Sequence, residues 1–282
     1  MIGGPPCQGF SVAGKMDPND PRSRHVYDFL AMVERIQPKA LVMENVKALA
    51  VNRRWRAIID GICDKARELG YDVSLNVLNA ADYGVPQARE RMILIGTRQG
   101  VCPKPDKDKT RRTVRDALDA LPRLGSPGND RPCKARITPA AHPVLRPSPW
   151  AGMLFNGQGR PMNLDAPAPT LPVTMGGNRT PIIDRESLDH HAPSWVCEYH
   201  DELMAGRPVV EAVPDRLRRI SVDEAAALQS FPSNMPWHGA QSSVYRQIGN
   251  AVPPLLAYHV ASNLARFLGL ETVEHPEILQ RL

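Results

Sequence analysis

Cysteine is scarce and scattered. The chain has 5, namely Cys7, Cys63, Cys102, Cys133 and Cys197, and no Cys-x-x-Cys pair. An odd count at wide spacing argues against a disulfide framework and against a zinc site; it fits reduced thiols in a cytoplasmic protein. No run approaches the roughly 18 to 20 unbroken apolar residues that a membrane span needs. The opening MIGGPPCQGF has no basic stretch followed by an apolar one, so no signal peptide is expected. Internal repeats and low-complexity tracts are absent too. Charged residues make up 23%, an ordinary share that argues against wholesale disorder.

What is present is 282 residues, 42% of them hydrophobic, enough to bury a sizeable core in one large domain or two small ones. Proline is abundant: 28 residues, about twice the usual share of roughly 5%. The net charge of +5 is unevenly spread. Residues 98–146 hold 12 Lys or Arg against 5 Asp or Glu, a local balance of +7 that leaves −2 for the rest. Such a block fits a polyanion partner, nucleic acid first; a solvated loop face has the same composition.

Hydrophobic periodicity organises the two ends of the chain. Val26, Phe29, Leu30, Val33 and Ile36 recur at helical spacing, as do Trp55, Ile58, Ile59, Ile62, Ala66 and Leu69, with Gly70 as a helix stop. Ala40 to Met43, Val73 to Leu78 and Met92 to Thr97 read as strands. This alternation predicts an α/β layer fold with a mostly parallel sheet. Residues 103–214 then hold 17 of the 28 prolines. Proline removes a backbone donor and restricts its predecessor, so loops and short edge strands are expected there. One short helix over Thr113 to Leu121, opened by a Thr113/Asp116 capping box, is the exception. Ser221 to Glu224 is a second capping-box signature, opening a helix through Leu228. Leu255 to Phe267 marks a C-terminal helix with Pro253 and Pro254 at its start, where proline is tolerated.

Four segments carry candidate chemistry. In Gly3-Gly4-Pro5-Pro6-Cys7-Gln8-Gly9-Phe10-Ser11, two glycines and two prolines fix a tight path before a Cys. A nucleophilic Cys must be reachable and its thiolate stabilised; a buried turn Cys is the plainer alternative. Glu44-Asn45-Val46 puts a carboxylate at a strand end, where open α/β sheets bind their ligands. Partial desolvation there raises a carboxyl pKa and lets it hold a proton; a capping or surface Glu is the alternative. In Gln87-Ala88-Arg89-Glu90-Arg91, alternation puts Arg89 and Arg91 on one face, fit to clamp a carbonyl or phosphate oxygen, or to salt-bridge Glu90. In Arg246 to Pro254, a Gly249-Asn250 turn precedes a helix whose N-terminus offers free amides, unless it is simply a turn.

Taken together and in order, these segments resemble the DNA cytosine-5 methyltransferase family. GGPPCQGFS is similar to its nucleophile motif, MENV to its glutamate motif and QARER to its arginine motif. Arg218-Arg219-Ile220-Ser221 through Glu224 with Leu228 to Pro232, and then RQIGNAVPP, are similar to its two final motifs. The resemblance runs from residue 3 to about residue 258 and is weakest in the Pro-rich middle. It implies a Rossmann-like, S-adenosylmethionine-dependent methyltransferase sheet with a smaller Pro-rich target-recognition region: core over 1–100, recognition over 101–215, returning motifs over 216–282. It implies catalysis by Cys7, Glu44, Arg89 and Arg91 on a cytosine flipped out of double-stranded DNA. It further implies cofactor contacts from Pro6, Asn250 and Ala251, and DNA contacts from Gln8, Ser11, Arg111 and Arg112.

The family pattern begins earlier than this chain, with a strand, a Phe-x-Gly-x-Gly loop and two acidic motifs for the cofactor. The sheet is therefore expected to be incomplete, the result of a wrong start, a gene break or a cofactor half supplied by a separate complementing polypeptide. A non-catalytic DNA-binding remnant and a thiol hydrolase, with His25 the nearest His to Cys7 in sequence, are readings of other classes. Phe155-Asn156-Gly157-Gln158-Gly159 matches Phe-x-Gly-x-Gly by letter. It is followed by Arg160-Pro161, where a helix should open, and by no strand-end acid some 20 residues on, so it is not expected to be the cofactor loop.

Overall fold

A computed structural model describes residues 1–6 and 25–271 of the chain. In chain order they form β1 (Ile2–Gly3), α1 (His25–Ile36), β2 (Ala40–Val46), α2 (Lys47–Val51), α3 (Arg56–Glu68), β3 (Asp72–Asn79), β4 (Gln87–Ala88) and β5 (Glu90–Thr97). There follow α4 (Val114–Asp119), β6 (Pro139–Val144), β7 (Met153–Phe155), β8 (Ala168–Pro169), β9 (Ile182–Asp184), α5 (Arg185–His190) and α6 (Trp195–Met204). The last elements are β10 (Leu217–Arg219), α7 (Val222–Leu228), α8 (Gln241–Asn250) and α9 (Pro254–Phe267). The described residues divide into two compact units: 1–6, 25–82, 89–107 and 258–271 in one, 83–88 and 108–257 in the other. No described helix is long and apolar enough to cross a membrane.

The first unit is built on a four-stranded sheet of order β1-β2-β5-β3. One sheet face, with Leu41, Met43, Met92 and Leu94, packs in a buried cluster with Val26, Phe29, Leu30 and Val33 of α1 and Ile59, Ile62 and Ala66 of α3. Removing such side chains from water supplies about 1.5–3 kcal/mol each. α3 stops as the sequence predicts. Gly70 takes φ +82°, and the amides of Gly70 and Tyr71 fold back to the carbonyls of Arg67 and Ala66, which satisfies the helix's last acceptors.

The sheet is not mostly parallel. β1 runs parallel to β2, whereas β5 is antiparallel to both β2 and β3. The connections explain this. Between β2 and β3 lie α2 and α3, a helical crossover that leaves the two strands pointing the same way with one place between them. Between β3 and β5 there is only the 3-10 turn Ala80–Tyr83 and the short β4, so the chain doubles back into that place. Three apolar positions also depart from the sequence pattern. Ile36 is 63% exposed where α1 ends at the positive-φ residue Gln37, and Leu75 and Val77 are 40% and 38% exposed because β3 is an edge strand.

Two apolar clusters are found among the described residues of the second unit. One gathers Val114 and Leu118 of α4, Val222, Ala225 and Leu228 of α7, and Val244, Tyr245 and Ile248 of α8. Both predicted capping boxes are present, Thr113 with Asp116 and Ser221 with Glu224. The other cluster gathers Phe155, Ile182, Leu217 and three residues of α6, Val196, Tyr199 and Leu203. α5 and α6 were not expected in this Pro-rich stretch. Asp184 caps α5, and the proline-free window between Pro193 and Pro208 admits α6, whose buried residues follow helical spacing.

Candidate active site

Glu44 lies near the end of β2 on the sheet face opposite α1 and α3. It sits level with Ile93 of β5, so Arg91, two residues back, is its diagonal neighbour on the same face. The Arg91 Nε is 2.9 Å from Glu44 Oε1, with side-chain exposures of 13% and 21% that keep the pair mostly out of water. Arg89 is buried, and its charge also acts on Glu44. Both guanidiniums therefore act on Glu44, although Arg89 lies in the link between β4 and β5 and is not placed by strand alternation. The alternative partner, Glu90, points away and binds Lys47 at 2.8 Å. Gln87, in the same motif, belongs to the second unit, where it accepts from the Leu171 amide and donates to the Leu228 carbonyl.

Burial raises the Glu44 carboxyl above its ordinary value, outweighing the two guanidiniums and the Arg91 hydrogen bond, which pull it down. A carboxyl held this way keeps its proton to higher pH and can deliver it to a basic nitrogen.

β1 delivers the chain to this carboxylate. Its parallel register pairs Gly3 with Met43, which brings Gly4 level with Glu44. A Cβ on Gly4 would stand 3.2 Å from Glu44 Oε2, and one on Gly3 would stand 2.6 Å from the Phe29 ring. Both glycines thus permit close approach. Asn45 is a residue to which the sequence alone assigned nothing. It is buried, donates from Nδ2 to the Pro5 carbonyl at 3.1 Å, and accepts the Val46 amide on Oδ1. It pins the segment leading into Pro6 against β2; its adjacency to Glu44 was the available signal. Cys7, Gln8 and Ser11 lie outside the described residues.

Pro6 is exposed beyond that pin. In the second unit, Gly249 and Asn250 are the last residues of α8 rather than a turn. Gly249 is required there because a Cβ would meet the Pro172 carbonyl and Val173 Cα, each at 2.8 Å. Asn250 is exposed and Ala251 caps the helix. Few free amides are left at the next helix: Pro253 and Pro254 have none, and the Leu255 amide is taken by Ser230 Oγ at 3.1 Å. Among the described residues, the strand-end acids are already engaged. Glu44 holds Arg91, Asp72 accepts the Gly100 amide, and Asp184 holds Arg216. The described residues therefore fit only part of an S-adenosylmethionine site.

The Phe155–Gly159 segment is no cofactor loop. A Cβ on Gly157 would meet Asn178 at 2.5 Å, and one on Gly159 would meet the Thr180 carbonyl at 2.2 Å. The glycines let two protein segments touch and leave no space for a ligand.

The basic block divides in two. Arg98 stacks over Tyr71, Lys107 pairs with Asp82, Arg115 with Asp165, and Arg131 with Asp223. The remaining cations, Arg111 among them, have no ion pair among the described residues. Arg111 is exposed, while Arg112 is half-buried and its Nη1 lacks a hydrogen-bond partner.

Residues 1–266 match the profile of the C-5 cytosine-specific DNA methylase family. The chain belongs to this family. It is 36% identical over 269 residues to the Type II methyltransferase M1.HphI of Haemophilus parahaemolyticus, aligning 93% of this chain with 66% of that protein. It is 33% identical to the Type II methyltransferase M.XorII of Xanthomonas oryzae, over 99% of this chain and 70% of that protein. With M.FnuDI of Fusobacterium nucleatum the identity is 30%, over 100% and 80% respectively. The chain thus spans about two thirds to four fifths of these relatives. Its fold is similar to that of the Entamoeba histolytica methyltransferase EhMeth, with a TM-score of 0.63, 15% identity and coverage of 95% of this chain and 77% of that one. A putative DNA modification methyltransferase from an E. coli prophage gives 0.60 at 21% identity, over 95% and 78%. The fold is thus an incomplete Rossmann-like methyltransferase sheet with an attached second unit.

Proposed function

We propose that this methylase-family chain transfers a methyl group to carbon 5 of cytosine in double-stranded DNA through a covalent adduct with Cys7. The observation that carries the reading is the mostly buried Glu44, its proton affinity raised, held by Arg91 directly beneath the segment that leads to Cys7. Carbon 6 of cytosine is a poor electrophile. As the Cys7 thiolate forms its S–C6 bond, the ring electrons move toward nitrogen 3, where Glu44 delivers its proton. Arg89 and Arg91 hold the carbonyl oxygen of the base and stabilise the developing charge. Carbon 5, now enamine-like, is the nucleophile toward the electrophilic methyl group that bound S-adenosylmethionine supplies. Glu44 then recovers the nitrogen 3 proton, the carbon 5 proton passes to solvent, and the C6–S bond breaks to return the thiolate.

Pro6, Asn250 and Ala251 would hold part of the cofactor. Gln8, Ser11, Arg111 and Arg112 would contact DNA, and residues 101–215 would read its sequence after the cytosine is flipped from the duplex at a cost of a few kcal/mol. A second reading, in which a separate polypeptide completes the cofactor site, rests on the described strand-end acids Glu44, Asp72 and Asp184 each having another partner.

The test is mechanism-based trapping. Duplexes with randomised flanks around 5-fluorocytosine, incubated with S-adenosylmethionine, should form a covalent complex whose tryptic map places the adduct on Cys7. Cys7→Ser should abolish it. No adduct, even with the cofactor portion of a relative supplied in trans, would rule the function out.

A further inference from the structure

Arg219 ends β10 and is 2% exposed, yet it forms no ion pair among the described residues. Its guanidinium is spent on the backbone of three distant loops. Nη1 donates to the Thr180 carbonyl at 2.6 Å, Nε to the Ala135 carbonyl at 3.3 Å, and Nη2 to Asn156 Oδ1 at 3.0 Å and its carbonyl at 3.4 Å. Asn156 extends the network. Its Nδ2 donates to the Arg136 carbonyl at 3.0 Å, and its Oδ1 accepts the Thr138 amide at 3.1 Å. Gly159 makes room, since a Cβ there would stand 2.4 Å from Arg219 Nη1. Burying a cation without a counter-ion is costly, and an apolar side chain would fill the place without that cost. What an apolar residue lacks is a rigid fork of donors able to hold three carbonyls at once.

The tethered loops carry Lys134, Arg136, Gln158, Arg160, Asn178 and Arg179, all exposed. These are side chains suited to phosphates and base edges. We propose that Arg219 is a positioning residue for DNA sequence discrimination, whose buried guanidinium sets the spacing of the 134–138, 156–160 and 178–180 loops that contact the duplex. This rests on the reading of residues 101–215 as the DNA-recognition region.

The experiment selects bound duplexes from a randomised pool with the full chain, then measures affinity for the enriched sequence and for a scrambled one. The wild type should enrich a consensus. Arg219→Lys keeps the charge without the fork, and Asn156→Ala removes one anchor. Each should lower the consensus-to-scrambled affinity ratio by about tenfold or more, the scale of one lost base contact. Scrambled-duplex affinity and its salt slope should stay within about twofold, because phosphate contacts are position-tolerant. A role in stability alone would weaken both duplexes together, and that result overturns the proposal. An unchanged ratio in both variants overturns it as well, while leaving the recognition reading intact. Failure of the wild type to enrich any consensus sinks the recognition reading itself, and this inference with it.

Discussion

Glu44→Gln separates the proton-donor role of Glu44 from its structural one. The amide keeps the shape of the side chain and an oxygen for the Arg91 Nε, now 2.9 Å away, but has no acidic proton. General acid catalysis contributes about 10²–10⁴-fold, which at 1.36 kcal/mol per tenfold is about 3–5 kcal/mol of barrier. The rate of adduct formation with fluorocytosine DNA should therefore fall by that factor. Its pH profile should change as well. Burial raises the Glu44 pKa above its ordinary 4.5, so the protonated fraction falls on the alkaline side of that value while Cys7 ionisation rises. The wild type should show a bell, and the variant should lose the limb that Glu44 sets. Stability supplies an independent check of sign. The unfolded chain loses this proton first, so wild-type stability declines as pH climbs from the ordinary value to the raised one. The variant does not titrate there, and its stability relative to wild type should improve over that window. Rapid-quench trapping and urea unfolding across pH 5–9 measure both effects. Adduct formation within about threefold of wild type, with the same pH profile, would refute the proton-donor role.

Other perturbations follow from the geometry. Glu224 is 1% exposed and accepts two bonds from Arg218, at 2.7 and 2.6 Å, and one from the Ser221 amide at 2.8 Å. Glu224→Ala should cost about 3–5 kcal/mol in urea unfolding, as removing one partner of a buried pair does, and a loss below about 1 kcal/mol would contradict it. Gly159→Ala should destabilise by about 1–3 kcal/mol, because its Cβ would stand 2.2 Å from the Thr180 carbonyl; a neutral result in thermal unfolding would show that the segment is not packed as described. Lys134→Ala, which removes an exposed cation, should lower the slope of log affinity for DNA against log salt by about one. Arg115→Ala should leave that slope unchanged in the same titration, since Arg115 is committed to Asp165 and to the carbonyls of Ser187 and Leu188.

The site was more legible in the sequence than the sheet that carries it, and the reason is the range of the forces involved. Capping boxes, the Gly70 stop and the buried rows of α1 and α3 are set by residues three or four apart, and they appear where the spacing puts them. Strand alternation is equally local, but it does not reach Arg89, which lies in the link between β4 and β5. That Arg89 and Arg91 meet Glu44, 47 residues before Arg91, was implied by family resemblance alone, because register between strands is decided by long-range packing. Strand direction failed for the same reason: what turns β5 antiparallel is the want of a helix in the link from β3, and apolar runs say nothing of direction. The Phe-x-Gly-x-Gly likeness at 155–159 shows the converse hazard. Glycine at two positions states only that a side chain is unwelcome. Whether a ligand or another strand of protein comes close is decided by what stands opposite, here Asn178, Thr180 and the buried Arg219. A motif letter becomes evidence of binding once the space beside it is shown to be open. At Gly4 the group opposite is the Glu44 carboxylate, and at Gly159 it is the protein's own backbone.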